Sequence, residues 1–259
     1  MHYLLTGCAG FIASRVCEML LEQGHTVVGV DNLNDYYDVR LKDWRLSRLL
    51  GGAARPLGSD PKTSVYLGAG SITASPASPN SPSPLAPHFP GKFTFHALDL
   101  EDLAALDRLF AAHKFDGVLN LAARAGVRYS MENPHVYLTT NTHGTLNILE
   151  CMRKHGVKKH VLASTSSLYA GCAMPFTEDL PVNTPLSPYA ASKKGAELMA
   201  YSYFKLYGLD TTVVRYFTVF GPAGRPDMSI FRFIKWIEAG QPPRAHGRRL
   251  PVARLHLRR

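Results

Sequence analysis

Residues 6–14 decide the fold: they read TGCAGFIAS and join a short apolar run to a helical pattern. Gly7 and Gly10 stand three residues apart, and Ala13 takes the third small position. In such a turn, the first glycine permits a tight bend, the second lets backbone approach a pyrophosphate, and the third small residue lets helix and strand pack closely. The helix N-terminus attracts phosphate groups. The spacing alone is weak, because many ordinary turns contain two glycines.

A carboxylate follows the second apolar run and strengthens the interpretation. Asp31 could accept hydrogen bonds from both hydroxyls of an adenosine ribose and would repel a 2′-phosphate, which favours NAD over NADP. Asp31 could also be a helix cap or a turn residue. Asp99 and Leu100, after the third run, suit contact with adenine, although Asp99 could simply cap the next helix.

Short apolar or β-branched runs alternate with helical patterns outward from this turn. Strict alternation implies right-handed crossovers, a parallel sheet, and ligands at the carboxyl ends of the strands. The predicted fold class is therefore α/β, a Rossmann-like doubly wound parallel sheet. The predicted strands are 3–6, 26–30, 93–96, 117–121, 160–164 and 211–216, and the predicted helices are 11–23, 101–113, 136–155 and 188–207.

The composition is that of a globular protein with a sizeable core, at 46% hydrophobic and 19% charged residues. The four cysteines are scattered without paired metal spacing, so we expect free thiols and no metal. The stretch after Met1 lacks the basic flank and long apolar run of a leader, and no uncharged apolar segment approaches about 18 residues. We therefore expect a cytoplasmic protein without a membrane partner.

The formal charge of +9 is concentrated at the end of the chain. The last sixteen residues hold six arginines and no acid, and without them 23 basic residues stand against 20 acidic ones. No nucleic-acid-binding motif accompanies this tail. We therefore expect a solvated basic end and no nucleic-acid partner.

Residues 51–91 interrupt the alternation with eight prolines and many serines, glycines and alanines. Proline cannot propagate a helix or a ladder. We expect a disordered surface insertion, with an ordered lid as the alternative.

A tyrosine four residues before a lysine on a helix suits hydride chemistry at a sugar hydroxyl. The phenol takes the proton, and the ammonium makes its phenolate less costly. Two such pairs occur, Tyr189/Lys193 and Tyr201/Lys205, about 18 Å apart along one predicted helix. Tyr189 follows Pro188 at the helix start, near the ends of the strands, whereas Tyr201 lies within an aromatic stripe. We expect Tyr189 to be the base and Tyr201 to lie in the core.

Hydroxyl groups follow the fifth predicted strand in ASTSSLYAG, residues 163–171. Thr165 could hydrogen-bond the reacting sugar oxygen. Serine and threonine are also routine turn residues, so this role depends on Tyr189.

In this order, these segments resemble the extended short-chain dehydrogenase family of NAD-dependent epimerases and dehydratases, over about residues 2–50 and 92–242. Within it they are most similar to the UDP-glucuronate 4-epimerases. Besides the glycine turn, the resemblance rests on DNLNDYYDVRLK from Asp31, LAARAGVRYSMENPH from Leu121, ASTSSLYAG from Ala163, SPYAASKKGAELMA from Ser187 and RYFTVFGPAGRPDM from Arg215.

The resemblance implies roles for individual residues. Tyr189 would be the base, Lys193 would lower its pKa and hold the nicotinamide ribose, and Thr165 would share the substrate hydrogen bond. Arg225 would read the uronate, because a guanidinium fork matches a carboxylate, or it is a solvated loop arginine. NAD would contact Gly7, Gly10, Phe11, Ile12, Asp31, Asn32, Asp99, Leu100, Leu121, Ala122, Ala123, Tyr189 and Lys193; the UDP-sugar would contact Arg128, Ser166, Ser167, Thr218 and Arg225.

The implied reaction is oxidation at carbon 4 by NAD, rotation of the 4-keto sugar, and return of the hydride to its other face. UDP-glucuronate and UDP-galacturonate would thereby interconvert. Related dehydratases and decarboxylases carry an acidic residue one or two positions after the catalytic threonine, where Ser166 and Ser167 stand here. These activities, and a non-catalytic NAD-binding fragment, are the alternatives.

The expected domains are an NAD-binding domain over 1–216, a partial substrate lobe over 217–243, and a disordered basic tail over 244–259. The tail, RAHGRRLPVARLHLRR, does not resemble the family and indicates a truncation or a shifted reading frame. Because remote binding energy positions a substrate, we expect NAD binding with weak or absent epimerase activity. The resemblance also implies a homodimer through helices 136–155 and 188–207.

Overall fold

A seven-stranded sheet forms the centre of the protein, in the order β3-β4-β2-β1-β5-β6-β7. The computed structural model describes residues 1–51, 71–73 and 89–242. Neighbouring strands pair in parallel, apart from the antiparallel pair β3–β4. The strands are β1 (His2–Thr6), β2 (Thr26–Asp31), β3 (Ser71–Thr73), β4 (Lys92–Ala97), β5 (Gly117–Asn120), β6 (Lys159–Thr165) and β7 (Asp210–Tyr216).

Helices connect the parallel strands. They are α1 (Phe11–Glu22), α2 (Val39–Leu49), α3 (Leu103–Ala112), α4 (Val127–Glu132), α5 (His135–Tyr137), α6 (Gly144–His155), α7 (Pro188–Tyr207) and α8 (Ser229–Glu238). The predicted helix at 136–155 is divided, because a π-helix over Leu138–His143 joins α5 to α6. None of the predicted helices corresponds to α2, α4 or α8.

Two hydrophobic layers cover the two faces of the sheet. Successive residues of β1 point to opposite faces, so Leu4 packs in one layer and Leu5 in the other. The Leu4 layer includes residues of α3, α6 and α7, and the Leu5 layer includes residues of α1 and α2. The predicted doubly wound α/β fold is therefore confirmed.

The strand order places a crevice at the carboxyl end of β1. This strand pairs with β2 on one side and with β5 on the other. The strand order therefore runs outward from β1 in opposite directions, through β2 and β4 on one side and through β5, β6 and β7 on the other. Ligands of open α/β sheets bind at such a topological switch point. The glycine-rich turn predicted to meet a cofactor follows β1 directly.

The insertion at 51–91 is not wholly structureless. Residues Ser71–Thr73 form β3, and Ile72 pairs with Phe95 of β4. The expectation of a disordered segment does not hold for these three residues, because they pair with the edge of β4 that β2 leaves open. Residues 52–70 and 74–88 of the insertion, like the tail at 244–259, lie outside the described residues.

The chain divides into two compact units, residues 1–219 and 220–259. The expected boundary at residue 216 stays a prediction. Among the residues that the structure describes, no helix has the length and apolar character needed to cross a membrane.

Candidate active site

The turn after β1 requires glycine at two positions. Gly7 has φ of +69°, and a Cβ atom there would lie 2.8 Å from Cα of Ala122. A Cβ at Gly10 would lie 2.9 Å from the carbonyl oxygen of Gly7, which accepts the Gly10 N–H at 2.7 Å. The turn is thus folded on itself and opens directly into Phe11 and Ile12 of α1. A glycine turn of this kind at a helix N-terminus suits a pyrophosphate.

Asp31 lies beside this turn at the end of β2 and is 8% exposed. Its Oδ2 accepts the Ala9 N–H at 3.2 Å, and its Oδ1 accepts the Leu33 N–H at 2.8 Å. Lys42 of α2 places its Nζ 3.5 Å from the same Oδ1. The carboxylate is therefore fixed where the ribose of a dinucleotide would follow the pyrophosphate.

Asn32 and Asp99 meet next to Asp31, although 67 residues separate them. The Asn32 side-chain amide donates to Oδ2 of Asp99 at 2.7 Å, and Oδ1 of Asp99 accepts the Glu101 N–H at 3.0 Å. Asp99 therefore makes a turn contact but does not cap α3, because the cap is Asp102, whose carboxylate accepts the Ala105 N–H at 2.9 Å. Leu100 is 5% exposed and packs in the core, so its contact with adenine stays a prediction.

Hydrogen bonds join the loop over residues 121–124 to the end of β1 on one side and, through Asn141, to α7 on the other. The Ala122 N–H donates to Oγ1 of Thr6 at 3.0 Å. Asn141, in the π-helix, accepts the Arg124 N–H at 2.8 Å and donates to Oγ of Ser192 at 3.0 Å. Ser192 in turn donates to the carbonyl of Tyr189. Leu121, Ala122 and Ala123 thus lie between the predicted cofactor and catalytic residues.

Helix α7 begins at the carboxyl edge of the sheet. Ser187 caps it by accepting the Ala190 N–H at 3.1 Å, and Pro188 occupies its first turn, where a missing N–H costs nothing. Tyr189 therefore lies in the first turn, with its ring 6.0 Å from that of Tyr137. The prediction from Pro188 that Tyr189 lies at the helix start is confirmed.

Lys193 lies one turn after Tyr189 and is 3% exposed. Its Nζ donates to the carbonyl of Ala163 on β6 at 2.9 Å. Burial lowers its pKa to about 8, while the charge of Glu197 acts in the opposite direction. The site thus holds a cation that is costly to bury, as active sites commonly do.

Thr165 ends β6, two residues beyond the carbonyl that holds Lys193, and it is 5% exposed. Its Oγ1 accepts the Ser167 N–H at 3.1 Å, which begins a 3-10 turn over Ser166–Tyr169. The fold therefore brings Thr165, Ser166, Ser167 and Lys193 to one edge of the sheet.

Three further residues are predicted to contact the substrate. Arg128 is exposed on α4, and Thr218 is exposed after β7. Arg225 belongs to the second unit, where its Nε and Nη2 donate to the Asp227 carboxylate at 3.0 and 2.5 Å. Their contacts with substrate stay predictions.

The expectation that Tyr201 lies in the core is wrong. Its side chain is 60% exposed, and Nζ of Lys205 lies 5.5 Å from its ring centroid. Small residues of α7, Ala196 and Ala200, face the core instead. Tyr201 and Phe204 therefore lie on the outer face of the helix, whereas Tyr203 packs against the core.

Sequence reasoning missed several residues that support the site. Glu197 accepts two hydrogen bonds from Arg215 of β7, each of 3.0 Å, and one from Ser164 at 2.6 Å. An arginine inside the apolar strand VVRYF is a signal that could have revealed this pair. Asn141 and Lys42 carry no comparable signal, since each looks like an ordinary surface residue of a helix.

The residues present fit NAD. The turn can fold only because Gly7 and Gly10 lack Cβ atoms, which would meet the Ala122 backbone and the Gly7 carbonyl, and Asp31 offers an acceptor for a ribose. Lys193 and Tyr189 lie across the loop of residues 121–124, where a nicotinamide would reach them. In the described part of the chain, no three His, Cys, Asp or Glu side chains are grouped as metal ligands.

Known proteins share this sequence and fold. The chain is 52% identical to UDP-glucuronate 4-epimerase of Thermodesulfobacterium geofontis, over 95% of this chain and 64% of that protein. It is 40% identical to a probable UDP-glucuronate 4-epimerase of Rhizobium meliloti, over 95% and 62%. The crystal structure of UDP-glucuronic acid 4-epimerase from Bacillus cereus with UDP-glucuronic acid and NAD matches at TM-score 0.72 and 30% identity, over 94% and 65%.

The chain therefore spans less than two thirds of the length of these relatives. The model of the NAD dependent epimerase/dehydratase family matches residues 3–252 and so extends into the basic tail. Because this match includes the glycine turn and the Tyr189/Lys193 cluster, the chain belongs to the NAD dependent epimerase/dehydratase family.

Proposed function

We propose that the chain is an NAD-dependent 4-epimerase that interconverts UDP-glucuronate and UDP-galacturonate. The observation that carries the proposal is the buried ammonium of Lys193, which is held by the Ala163 carbonyl one turn after Tyr189. Such a cation stabilises a phenolate beside it. The cluster lies across one loop from a glycine turn that fits a dinucleotide.

Each residue of the cluster has a definite task. Tyr189 takes the proton of the sugar 4-hydroxyl while a hydride leaves carbon 4. It returns a proton to the same oxygen when the hydride is added back to carbon 4. Lys193 stabilises the phenolate during this exchange. Thr165 donates a hydrogen bond to the same oxygen and keeps it near Tyr189. When bound, NAD would supply the hydride acceptor for the first step and, after the 4-keto sugar has rotated, the hydride donor for the second.

Epimerisation is preferred over dehydration or decarboxylation because of the residues after Thr165. Loss of water or carbon dioxide needs an acid or base for carbons 5 and 6. Ser166 and Ser167 occupy these positions, and neither hydroxyl titrates near neutral pH. A 4,6-dehydratase or a decarboxylase remains the second candidate within the enzyme class.

Arg225 is the proposed reader of the uronate carboxylate. Its guanidinium already pairs with Asp227 through two hydrogen bonds, so its fork is shaped for a carboxylate. On substrate binding, the uronate carboxylate would replace the Asp227 carboxylate as the partner of the Arg225 guanidinium.

The proposed reaction includes the expectation of slow turnover. The relatives continue beyond the part that this chain matches, and binding energy from remote groups helps to position a sugar at the reacting centre. We therefore propose that the chain binds NAD and acts weakly on UDP-glucuronate, in the cytoplasm and as a homodimer.

The test compares the purified chain with Tyr189→Phe and with Tyr201→Phe, a matched control on the exposed face of the same helix. NAD binding and conversion of UDP-glucuronate are measured, and the products are separated. We expect Tyr189→Phe to abolish conversion without weakening NAD binding, and Tyr201→Phe to change neither. A 4-keto-6-deoxy sugar or a pentose as product would replace the proposed reaction. NAD binding without any conversion by the parent chain would favour a non-catalytic binding fragment.

A further inference from the structure

Lys42 is a buried lysine whose ammonium lies at the cofactor end of the sheet. Its side chain is 6% exposed, and Nζ lies 3.5 Å from Oδ1 of Asp31 and 5.6 Å from the centroid of the Tyr37 ring. Within the described residues, these are its two contacts, and the first is at the limit of hydrogen bonding. An ammonium has three donors, and burial without partners is costly. Lys42 therefore has donor capacity left for a ligand.

Asp31 and Lys42 together offer an acceptor and a donor side by side. The carboxylate already accepts the N–H groups of Ala9 and Leu33, which fix its orientation at the glycine turn. Each hydroxyl of a ribose both donates and accepts a hydrogen bond. A pair that combines carboxylate and ammonium therefore matches the two neighbouring hydroxyls of an adenosine ribose better than a carboxylate alone.

The pair also changes the electrostatics of the ribose site. A lone carboxylate at this position repels a 2′-phosphate. Here the ammonium of Lys42 offsets the charge of Asp31, and the guanidinium of Arg45, 2% exposed, donates to the Ala9 carbonyl at 3.0 Å in the same turn. The two cations offset the charges of Asp31 and of the neighbouring Asp99, so the usual reason for rejecting a 2′-phosphate is weakened.

We infer that Lys42 is a cofactor-binding residue that donates to the adenosine ribose and sets how strongly the site discriminates between NAD and NADP. The inference rests on the NAD binding of the proposed function. It means that NADP binds measurably, although more weakly than NAD, and that this residual binding depends on the charge of Lys42.

The test is calorimetric titration of the full chain with NAD and with NADP. Lys42→Met removes both the charge and the donor, whereas Lys42→Gln removes the charge and keeps a donor. Lys92→Met is the matched control, because Lys92 is exposed at the opposite, amino end of β4. Circular dichroism checks that each variant is folded.

We expect Lys42→Met to weaken NAD about tenfold, as loss of a hydrogen bond from a charged donor implies, and to weaken NADP by a larger factor. Lys42→Gln should bind NAD nearly as the parent chain does but should still lose NADP. Lys92→Met should change neither. Equal weakening of both cofactors, or unchanged affinities in folded variants, would overturn the inference. If Lys42→Met does not fold, an unchanged ratio of NADP affinity to NAD affinity in Lys42→Gln would overturn the inference. Failure of the parent chain to bind NAD would instead overturn the proposed function.

Discussion

Lys193 shows at the scale of one residue that the site is built at a cost in stability. Burial lowers the pKa of its ammonium from 10.5 to about 8, which corresponds to a penalty of about 3 kcal/mol in the charged state. Both the folded and the unfolded chain hold this proton below pH 8, so the penalty is fully present at neutral pH. It disappears as pH rises from 8 to 10.5, because the folded chain releases the proton first.

We therefore expect Lys193→Met to abolish turnover and to raise the free energy of unfolding at pH 7 by about 1–3 kcal/mol. The rise in stability between pH 8 and 10.5 should be absent in this variant. Urea denaturation across this range provides the measurement, with Lys205→Met on the exposed part of the same helix as control. A clear loss of stability in Lys193→Met would show that the ammonium contributes packing or hydrogen bonding that outweighs its burial.

At the scale of elements, the pair of Glu197 and Arg215 joins α7 to the edge strand β7 and, through Ser164, to β6. Burial raises the pKa of Glu197, but the hydrogen bonds from Arg215 and Ser164 outweigh it, so the pKa lies below its usual value. The pair thus holds the strand that carries Thr165 against the helix that carries Lys193. Breaking a buried ion pair leaves an uncompensated charge.

Arg215→Met should lower the free energy of unfolding by about 3 kcal/mol, measured by urea denaturation at pH 7. The double variant Arg215→Met/Glu197→Met should recover much of this loss, because no unpaired charge remains. Arg153→Met, which breaks an exposed pair with Glu150, should cost less than about 1 kcal/mol. An equal loss in the single and double variants would mean that packing of the arginine, rather than the paired charge, stabilises this junction.

At the scale of the whole molecule, α7 carries apolar residues on its outer face. Leu198, Tyr201 and Phe204 are 51%, 60% and 46% exposed and follow each other at intervals of three residues. An apolar helix face of this kind suits an interface between copies of the chain. We expect sedimentation velocity to give a dimer for the parent chain and a monomer for Tyr201→Glu. Leu103→Glu, an exposed apolar position on α3, should leave the dimer intact, and a monomeric parent chain at micromolar concentration would contradict the interface.

Local chemistry explains which features the sequence predicted well. The strands, the glycine turn and the start of α7 depend on alternation, on glycine without a Cβ atom, and on serine and proline at a helix N-terminus. These preferences act between neighbouring residues, so they are visible without the fold. The family resemblance rests on the same local segments and added the expected roles of Tyr189, Lys193 and Thr165.

The sequence by itself therefore determined the doubly wound sheet and the Tyr189/Lys193 pair. Only the tertiary structure decided that Lys42 returns to Asp31, that Asn141 connects Arg124 to Ser192, and that Tyr201 faces outward. Each of these depends on which helix face the sheet covers and on residues far apart in sequence. Periodicity reveals that a helix has an apolar stripe, but only packing decides which stripe is buried, because that choice is made between elements and not within one.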